Sequence, residues 1–181
     1  MADKTDHEIW LMLQNSALRD KGFTLLMDNH KERIYWYIRR LVVFHEDAED
    51  VLQETFINAY RYAGSFNGKS KIYTWLYKIA TNECIALFRR NKKDEFKMVE
   101  ISQQLENQFS DSGTETSDAI LVKFQEAIQQ LPEKQRIVFN LRYYDDLSYE
   151  EMEEITGSSV GTLKTNYHYA AEKVKNYLKN I

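Results

Sequence analysis

Apolar residues recur every three or four positions in several stretches of the chain, which is the spacing of one face of an α-helix. This pattern predicts helices over residues 23–44, 46–63 and about 70–90, preceded by a short helix over about 9–18. The positions that define the three longer stripes are predicted to form a core: Phe23, Leu26, Ile34, Ile38, Leu41, Ala48, Leu52, Thr55, Phe56, Ala59, Ala63, Trp75, Leu76, Ile79, Ala80 and Leu87.

The helical pattern stops over residues 95–118, where Ser, Thr, Asp and Glu accumulate, and it resumes at Ile120. The segment SDSGTETSD within this stretch has no apolar residue and is typical of a flexible linker. With one proline and six glycines in 181 residues, helices are favoured over a turn-rich β fold. The sequence therefore predicts an all-α protein with a domain over 1–94, an acidic linker over 95–118 and a second helical domain over 119–181.

A helix-turn-helix pattern occupies the middle of the second domain. Ser148 and Glu151 form a capping box at a helix start. Gly157 is placed to end that helix in a left-handed conformation. A second helix is predicted to start near Ser159 or Val160, which completes the arrangement of a DNA-reading module. Ordinary helical hairpins also use these signals, so the motif alone leaves DNA binding open.

The second helix of this motif has one apolar face and one polar face. Its apolar positions are Val160, Leu163, Tyr167, Ala170, Ala171, Val174 and Leu178. The other face and its flanks carry side chains that can contact base edges or phosphates in the major groove. These candidate DNA contacts are Lys164, Thr165, Asn166, His168 and Tyr169.

The net charge of −4 conceals a strong segregation of charge along the chain. Residues 44–60 contain five acids and no Lys or Arg, whereas residues 61–93 contain eight Lys or Arg and the single acid Glu83. The basic stretch is also rich in aromatic residues, a combination that suits single-stranded nucleic acid. A solvated surface explains any one block equally well.

Several classes of function find no support in the sequence. Cys84 is the only cysteine, which excludes an internal disulfide, and its apolar neighbours predict a packed side chain. The four histidines lack metal-site spacing, and no nucleotide-binding or hydrolase motif is present, so we expect no metal, no cofactor and no enzyme activity. The apolar runs reach only about five residues, far fewer than a membrane span needs, and no signal peptide is apparent, which predicts a cytoplasmic protein.

Three segments together resemble a known family. The segment 131–178 (LPEKQRIVFNLRYYDDLSYEEMEEITGSSVGTLKTNYHYAAEKVKNYL) resembles the C-terminal domain of extracytoplasmic-function sigma factors of the sigma-70 family. Residues 49–56 (EDVLQETF) and 73–82 (YTWLYKIATN) resemble the other domain of that family. The resemblance covers about residues 23–93 and 120–178 in the order that the family uses.

This resemblance implies a protein that directs RNA polymerase to promoters and helps to open the DNA. The implied partners are the core enzyme and promoter DNA, with no small-molecule substrate. Many members of the family are also held by an anti-sigma protein, and the sequence leaves open whether this chain has one. The implied polymerase contacts are Asp50, Gln53, Glu54, Ile57 and Arg61. The loop 65–72 is implied to capture a flipped base of the −10 element, and the implied −10 contacts are Asn67, Lys69, Ser70, Lys71, Lys78, Arg89 and Arg90. The helix-turn-helix would read the −35 element.

An alternative function is a stand-alone helix-turn-helix regulator whose first domain senses a ligand or dimerises. Such a regulator would need a symmetric operator, and its sensor domain would have no reason to carry the basic and aromatic run. The recognition helix also departs from the family, since it reads KTNYHY where many members carry arginines. The −35 sequence preference of other family members therefore does not carry over to this chain. We also expect the free protein to bind promoter DNA poorly.

Overall fold

The computed structural model describes residues 5–91 and 115–179, apart from the side chains of 115–119, and all regular structure in these ranges is helical. The predicted all-α fold is confirmed. The helices are α1 (Asp6–Gln14), α2 (Arg19–Leu41), α3 (His45–Tyr62), α4 (Ile72–Asn91), α5 (Glu115–Gln129), α6 (Glu133–Tyr143), α7 (Tyr149–Thr156) and α8 (Val160–Lys179), with a 3₁₀ turn at Ala63–Ser65.

The first helix starts and ends through local side-chain hydrogen bonds. Thr5 and Glu8 form a capping box at its N-terminus. The helix ends at Gln14, earlier than predicted, because Asn15 takes an extended conformation and its side chain accepts a hydrogen bond from the Ala17 amide at 2.9 Å. Asn favours such turns, because its short side chain can bond to the nearby backbone. The apolar face of α1 packs on α2.

Helices α2, α3 and α4 pack against one another as the N-terminal module. The predicted core positions are buried here, except Phe23, Trp75 and Ile79, which are half-buried at its edge. Cys84 is fully buried in this core, as predicted, and burial raises the pKa of its thiol.

Helices α5 to α8 form the C-terminal module, and α5 begins inside the predicted linker. The remainder of that predicted linker, residues 95–114, lies outside the described residues. Pro132 comes immediately before α6, as its N-cap residue. Phe139 of α6 stacks on Tyr167 of α8 with ring centroids 5.9 Å apart, and Leu163, Ala170 and Val174 bury the predicted apolar face of α8.

The helix-turn-helix has the predicted local geometry. Ser148 accepts a hydrogen bond from the backbone of Glu151 while the Glu151 carboxylate accepts one from the backbone of Ser148. Gly157 ends α7 with a left-handed φ of 71°, and α8 begins at Val160. Each of these features depends on residues that are close together in the sequence. They could therefore be predicted from the sequence alone.

The two modules lie against each other. Helix α7 packs on α4, and α6 packs on α2. Buried residues from both sides, including Leu76 of α4 and Met152 of α7, belong to one connected apolar cluster. None of the helices in the two described ranges has the length and apolar content needed to cross a bilayer.

Candidate polymerase and nucleic-acid interfaces

The outward face of α3 presents acids around one apolar side chain. All five predicted polymerase contacts on this helix are exposed, and Ile57 leaves 42% of its surface in solvent. Asp50, Gln53 and Ile57 line a groove between α2 and α3 with a volume of about 1020 Å³. The other residues along this groove include Phe23, Met27, Asp28, Glu32, Tyr35, Glu49, Phe56 and Tyr60. A partner with apolar and basic side chains would complement such a groove.

A second cleft, of about 340 Å³, lies between the loop before α4 and the first turns of that helix. Four of the predicted −10 contacts line it: Asn67, Lys69, Ser70 and Lys78. Its other lining residues are Ser65, Phe66, Thr74, Trp75 and Glu154. We call this space the loop cleft. It offers ammonium groups, polar side chains and aromatic rings together, the combination that binds unpaired bases and their phosphates.

Two residues of the loop cleft were assigned no DNA role in the sequence analysis. The ring of Trp75 stacks on Phe66 with centroids 4.9 Å apart and planes at 26°, so this pair forms an aromatic wall. Thr74 is buried, and its hydroxyl finds no hydrogen-bond partner among the described residues. A buried polar atom without a partner is unfavourable, and this hydroxyl belongs to a residue that lines the cleft, although the oxygen itself exposes almost no surface.

The loop itself is held by α1, which the sequence analysis did not connect with it. The indole N–H of Trp10 donates to the backbone oxygen of Phe66 at 3.0 Å. The side-chain amide of Gln14 donates to the carbonyls of Ala63 and Phe66 at 3.1 and 3.2 Å. Gly68 turns the loop with a φ of 70° directly against the Trp10 ring. The first helix therefore acts as a brace for the loop cleft.

The remaining predicted −10 contacts lie outside the loop cleft. Lys71 turns towards the C-terminal module, where its ammonium group lies 2.9 Å from a carboxylate oxygen of Glu151. Arg89 and Arg90 are exposed in the last turn of α4. Because a helix rises about 1.5 Å per residue, they lie roughly 16–18 Å along the axis from Lys78.

The Lys71–Glu151 contact includes a third group. The hydroxyl of Tyr73 donates to the same Glu151 oxygen. Burial alone would raise the pKa of Glu151, but hydrogen bonds from Tyr73, Lys71 and the Ser148 cap lower it to about 2. The hydrogen bonds with Tyr73 and Glu151 raise the pKa of Lys71. Both partners are therefore charged at neutral pH.

A carboxylate between the modules forms a second polar contact. Asp145, in the turn after α6, lies 2.8 Å from a guanidinium nitrogen of Arg40, and its side chain is only 8% exposed. The Tyr77 hydroxyl donates to the other Asp145 oxygen at 2.8 Å and accepts from Arg33 at 2.9 Å. Burial raises the pKa of Tyr77, and the negative charge of Asp145 raises it further. No sequence signal pairs residues about a hundred positions apart, although Asp145 belongs to the RYYDD run on which the resemblance rests.

The polar face of α8 is open to solvent. Four of its predicted DNA contacts, namely Lys164, Thr165, His168 and Tyr169, are exposed, while Asn166 is half-buried. The Thr165 hydroxyl donates to a backbone oxygen one turn earlier at 3.0 Å. These side chains lie on the N-terminal half of the helix, the end that contacts base edges in helix-turn-helix proteins.

A helix-turn-helix and a separate basic, aromatic cleft, in a fold that is helical throughout its described residues, are typical of DNA-binding transcription proteins. The family model of Sigma-70 region 2 matches residues 26–94, and that of Sigma-70, region 4, matches residues 121–174. The chain is 34% identical to the ECF RNA polymerase sigma factor SigW of Bacillus subtilis, over 88% of this chain and 90% of that protein. It is 33% identical to the RNA polymerase sigma-H factor of Pseudomonas aeruginosa, over 89% of this chain and 88% of that protein.

The chain therefore belongs to the sigma-70 family, in its extracytoplasmic-function group, and it is an RNA polymerase sigma factor. This confirms the predicted family and class of function. Two solved structures share the fold. CnrH, in complex with the cytosolic domain of CnrY, has a TM-score of 0.72 at 18% identity and covers 97% of both chains. RpoE of Bartonella quintana, in complex with the anti-sigma factor NepR, has a TM-score of 0.68 at 22% identity and covers 88% of this chain and 98% of that one.

Proposed function

We propose that residues 1–94 dock on core RNA polymerase and hold the melted −10 element, while residues 119–181 read the −35 element. Residues 95–118 would link these two domains along the enzyme. The observation that carries this proposal is the loop cleft, in which lysines, polar side chains and a stacked aromatic pair converge. A stand-alone regulator has no use for such a cleft.

The polymerase contact is assigned to the groove between α2 and α3. Ile57 supplies an exposed apolar centre, and Asp50, Gln53, Glu54 and Arg61 surround it with polar groups. An apolar centre inside a polar rim is the usual anatomy of a protein interface. Four acids and one lysine, Lys31, line the groove, and this excess of negative charge favours a basic partner helix such as the clamp coiled coil that the family binds.

The −10 contact is assigned to the loop cleft. A base leaving the duplex loses its stacking, which costs a few kcal/mol. Stacking on the half-buried Trp75 ring, which Phe66 supports from behind, can offset that cost. Lys69 and Lys78 are placed to neutralise the flanking phosphates, with Asn67 and Ser70 as polar contacts to the base. Arg89 and Arg90 would hold phosphates further along the strand.

The −35 contact is assigned to the exposed face of α8. Lys164, Thr165 and Asn166 lie at the entrance of this helix and are the candidates for base contact, with His168 and Tyr169 one turn further on. Because the N-terminal half of α8 has a single lysine, Lys164, its phosphate contribution is small and its salt dependence should be shallow.

We further propose that the protein acts in the cytoplasm and catalyses no reaction itself. An anti-sigma protein is a further proposed partner, because one structural neighbour, RpoE, was solved in complex with the anti-sigma factor NepR. The groove around Ile57 is a candidate contact for that protein as well as for the polymerase.

Binding to core polymerase tests the docking assignment. We expect Ile57→Asp to weaken association with purified core enzyme by about tenfold or more, since a charge would be buried at the centre of the interface. Leu18→Asp is the matched control, because Leu18 is 43% exposed against 42% for Ile57 but lies outside the groove. Equal affinities of the two variants, measured by fluorescence titration, would contradict the assignment.

A further inference from the structure

The acidic helix α7 lies against the N-terminal module at the site where DNA is proposed to bind. Glu154 forms part of the wall of the loop cleft, beside Lys69 and Lys78. One turn earlier, Glu151 accepts hydrogen bonds from Lys71 and Tyr73. Two carboxylates of the C-terminal module thus sit among the cationic and aromatic groups that would otherwise meet a DNA strand.

We propose that α7 acts as an internal substitute for DNA, so that the free chain keeps its −10 surface closed until the two modules separate. This inference rests on the proposed function, since it takes the loop cleft as the −10 site. A carboxylate and a phosphate are both anions that accept hydrogen bonds from lysine and tyrosine. The two therefore compete for the same donors.

The closed arrangement is held at a second place, away from the loop cleft. Asp145 bonds to Arg40 and Tyr77 across the module interface, and Gln129 donates to the Arg40 backbone oxygen at 2.9 Å. A buried carboxylate is tolerated only when its partners are well placed, and removal of one member of such a set is strongly unfavourable. Asp145 therefore specifies one docked geometry of the two modules.

Apolar contacts complete the closed state. Helix α7 contributes Met152 and Ile155 to the cluster that also contains Leu76 and Leu87 of α4. The guanidinium of Arg136 in α6 lies 4.6 Å from the ring centre of Phe88 in α4. Separation of the two modules would expose this apolar surface to water. We therefore expect the closed state to predominate when no partner is bound. Docking on polymerase would have to supply the free energy of separation.

Binding of single-stranded DNA tests the proposal in the full chain. Glu151→Gln removes the charge but keeps the capping box, which accepts Gln as well as Glu. Asp145→Asn removes the second contact without touching the loop cleft. We expect the double variant to bind a fluorescein-labelled pool of random single-stranded DNA about tenfold more tightly than the parent chain, because the competent state becomes more populated.

Small-angle X-ray scattering supplies the conformational readout. We expect the radius of gyration of the double variant, and of Asp145→Asn alone, to exceed that of the parent chain. An unchanged radius of gyration together with unchanged DNA affinity would overturn the proposal. Circular dichroism establishes that each variant keeps its helices, and either single variant serves if the double variant does not fold.

A matched control separates closure from a general charge effect. Glu153→Gln makes the same change on the same helix, at an exposed residue outside the loop cleft. We expect it to leave both the DNA affinity and the radius of gyration at the parent values. If Glu153→Gln strengthens DNA binding as much as Glu151→Gln does, the gain comes from net charge and the proposal fails.

Lys78→Ala in the double-variant background distinguishes this inference from the proposed function. If closure and the −10 assignment are both correct, the expanded variant loses DNA affinity when Lys78 is removed. If the −10 assignment is wrong, the variant is still expanded but Lys78→Ala leaves its affinity unchanged. If closure is wrong, the double mutation does not expand the chain, whatever Lys78 does.

Discussion

The two proposed DNA-reading surfaces of this sigma factor differ in their accessibility. The polar face of α8 is open to solvent, whereas the loop cleft is walled in part by Glu154 of the opposite module. The helix that carries Glu154, α7, is also the first helix of the helix-turn-helix. One short helix therefore contributes to both proposed DNA-reading surfaces.

This difference suggests a division of labour between the surfaces. Reading duplex DNA in the major groove needs no melting, so its reader can stay exposed without cost. A surface that captures unpaired bases would bind any single-stranded nucleic acid, so covering it until the polymerase is bound limits unproductive contacts. The low DNA affinity expected of the free chain then has two physical causes, weak individual contacts and a covered cleft.

The largest effect on stability is expected at two glycines, Gly68 in the loop of the loop cleft and Gly157 in the turn of the helix-turn-helix. Gly68 and Gly157 share a left-handed φ near 70°, but a Cβ at Gly68 would lie 2.9 Å from the Trp10 ring, while one at Gly157 would meet nothing within 4 Å. Gly157→Ala should cost about 1–2 kcal/mol of unfolding free energy, from conformation alone. Gly68→Ala should cost about 2–4 kcal/mol, because overpacking is added. Urea denaturation measures both, and equal costs would refute the close contact between α1 and the loop.

The next effect concerns base reading by α8. Asn166→Ala should weaken promoter binding by the holoenzyme by about 1–3 kcal/mol at the position it reads, since a side-chain contact to a base edge is lost. Asn176→Ala makes the same change on the same helix, about 15 Å nearer its C-terminus, and should leave binding unchanged. Competition with −35 variants provides the measurement. Comparable losses for the two variants would remove Asn166 from the recognition set.

A smaller effect is expected from the brace of the loop cleft. Trp10→Phe keeps an aromatic ring but removes the donor to the Phe66 carbonyl, a loss of about 1 kcal/mol. Trp36, which is 46% exposed, provides the control Trp36→Phe. We expect only Trp10→Phe to reduce promoter opening by the holoenzyme, followed by permanganate reactivity of unpaired thymines. If Trp10→Phe opens promoters as well as the parent chain, α1 has no part in shaping the cleft.

The smallest effect is a dependence of stability on pH through the α1–α2 contact. Burial lowers the pKa of His30 from 6.5, and Asp6 opposes that shift only in part. The unfolded chain therefore takes up this proton at a higher pH than the folded chain, and stability falls as the pH drops below 6.5. His30→Gln should flatten this part of the profile of unfolding free energy against pH. An unchanged profile would show that His30 does not contribute.

Local features of the fold were predictable, whereas contacts between distant segments were not. Ser148, Glu151 and Gly157 define a helix start and a helix end within ten residues, so their roles follow from nearest neighbours. The loop candidates Asn67, Lys69 and Ser70 are likewise adjacent in sequence.

The brace and the module interface depend instead on tertiary packing. Trp10 and Phe66 are 56 positions apart, and Arg40 and Asp145 are 105 positions apart. Helical periodicity says which face of a helix is buried, but it does not say which other helix covers that face. Thr74 illustrates the same limit, since only the packed fold shows that its hydroxyl is left without a partner among the described residues.

Transcription with purified core polymerase tests the central claim most directly. Core enzyme is incubated with genomic DNA fragments, with and without this chain, and the 5′ ends of the transcripts are mapped. We predict start sites that appear only with the chain and share upstream elements at constant spacing, and we predict that Lys78→Ala reduces transcription from them. A set of transcripts that is unchanged when the chain is added would contradict the account.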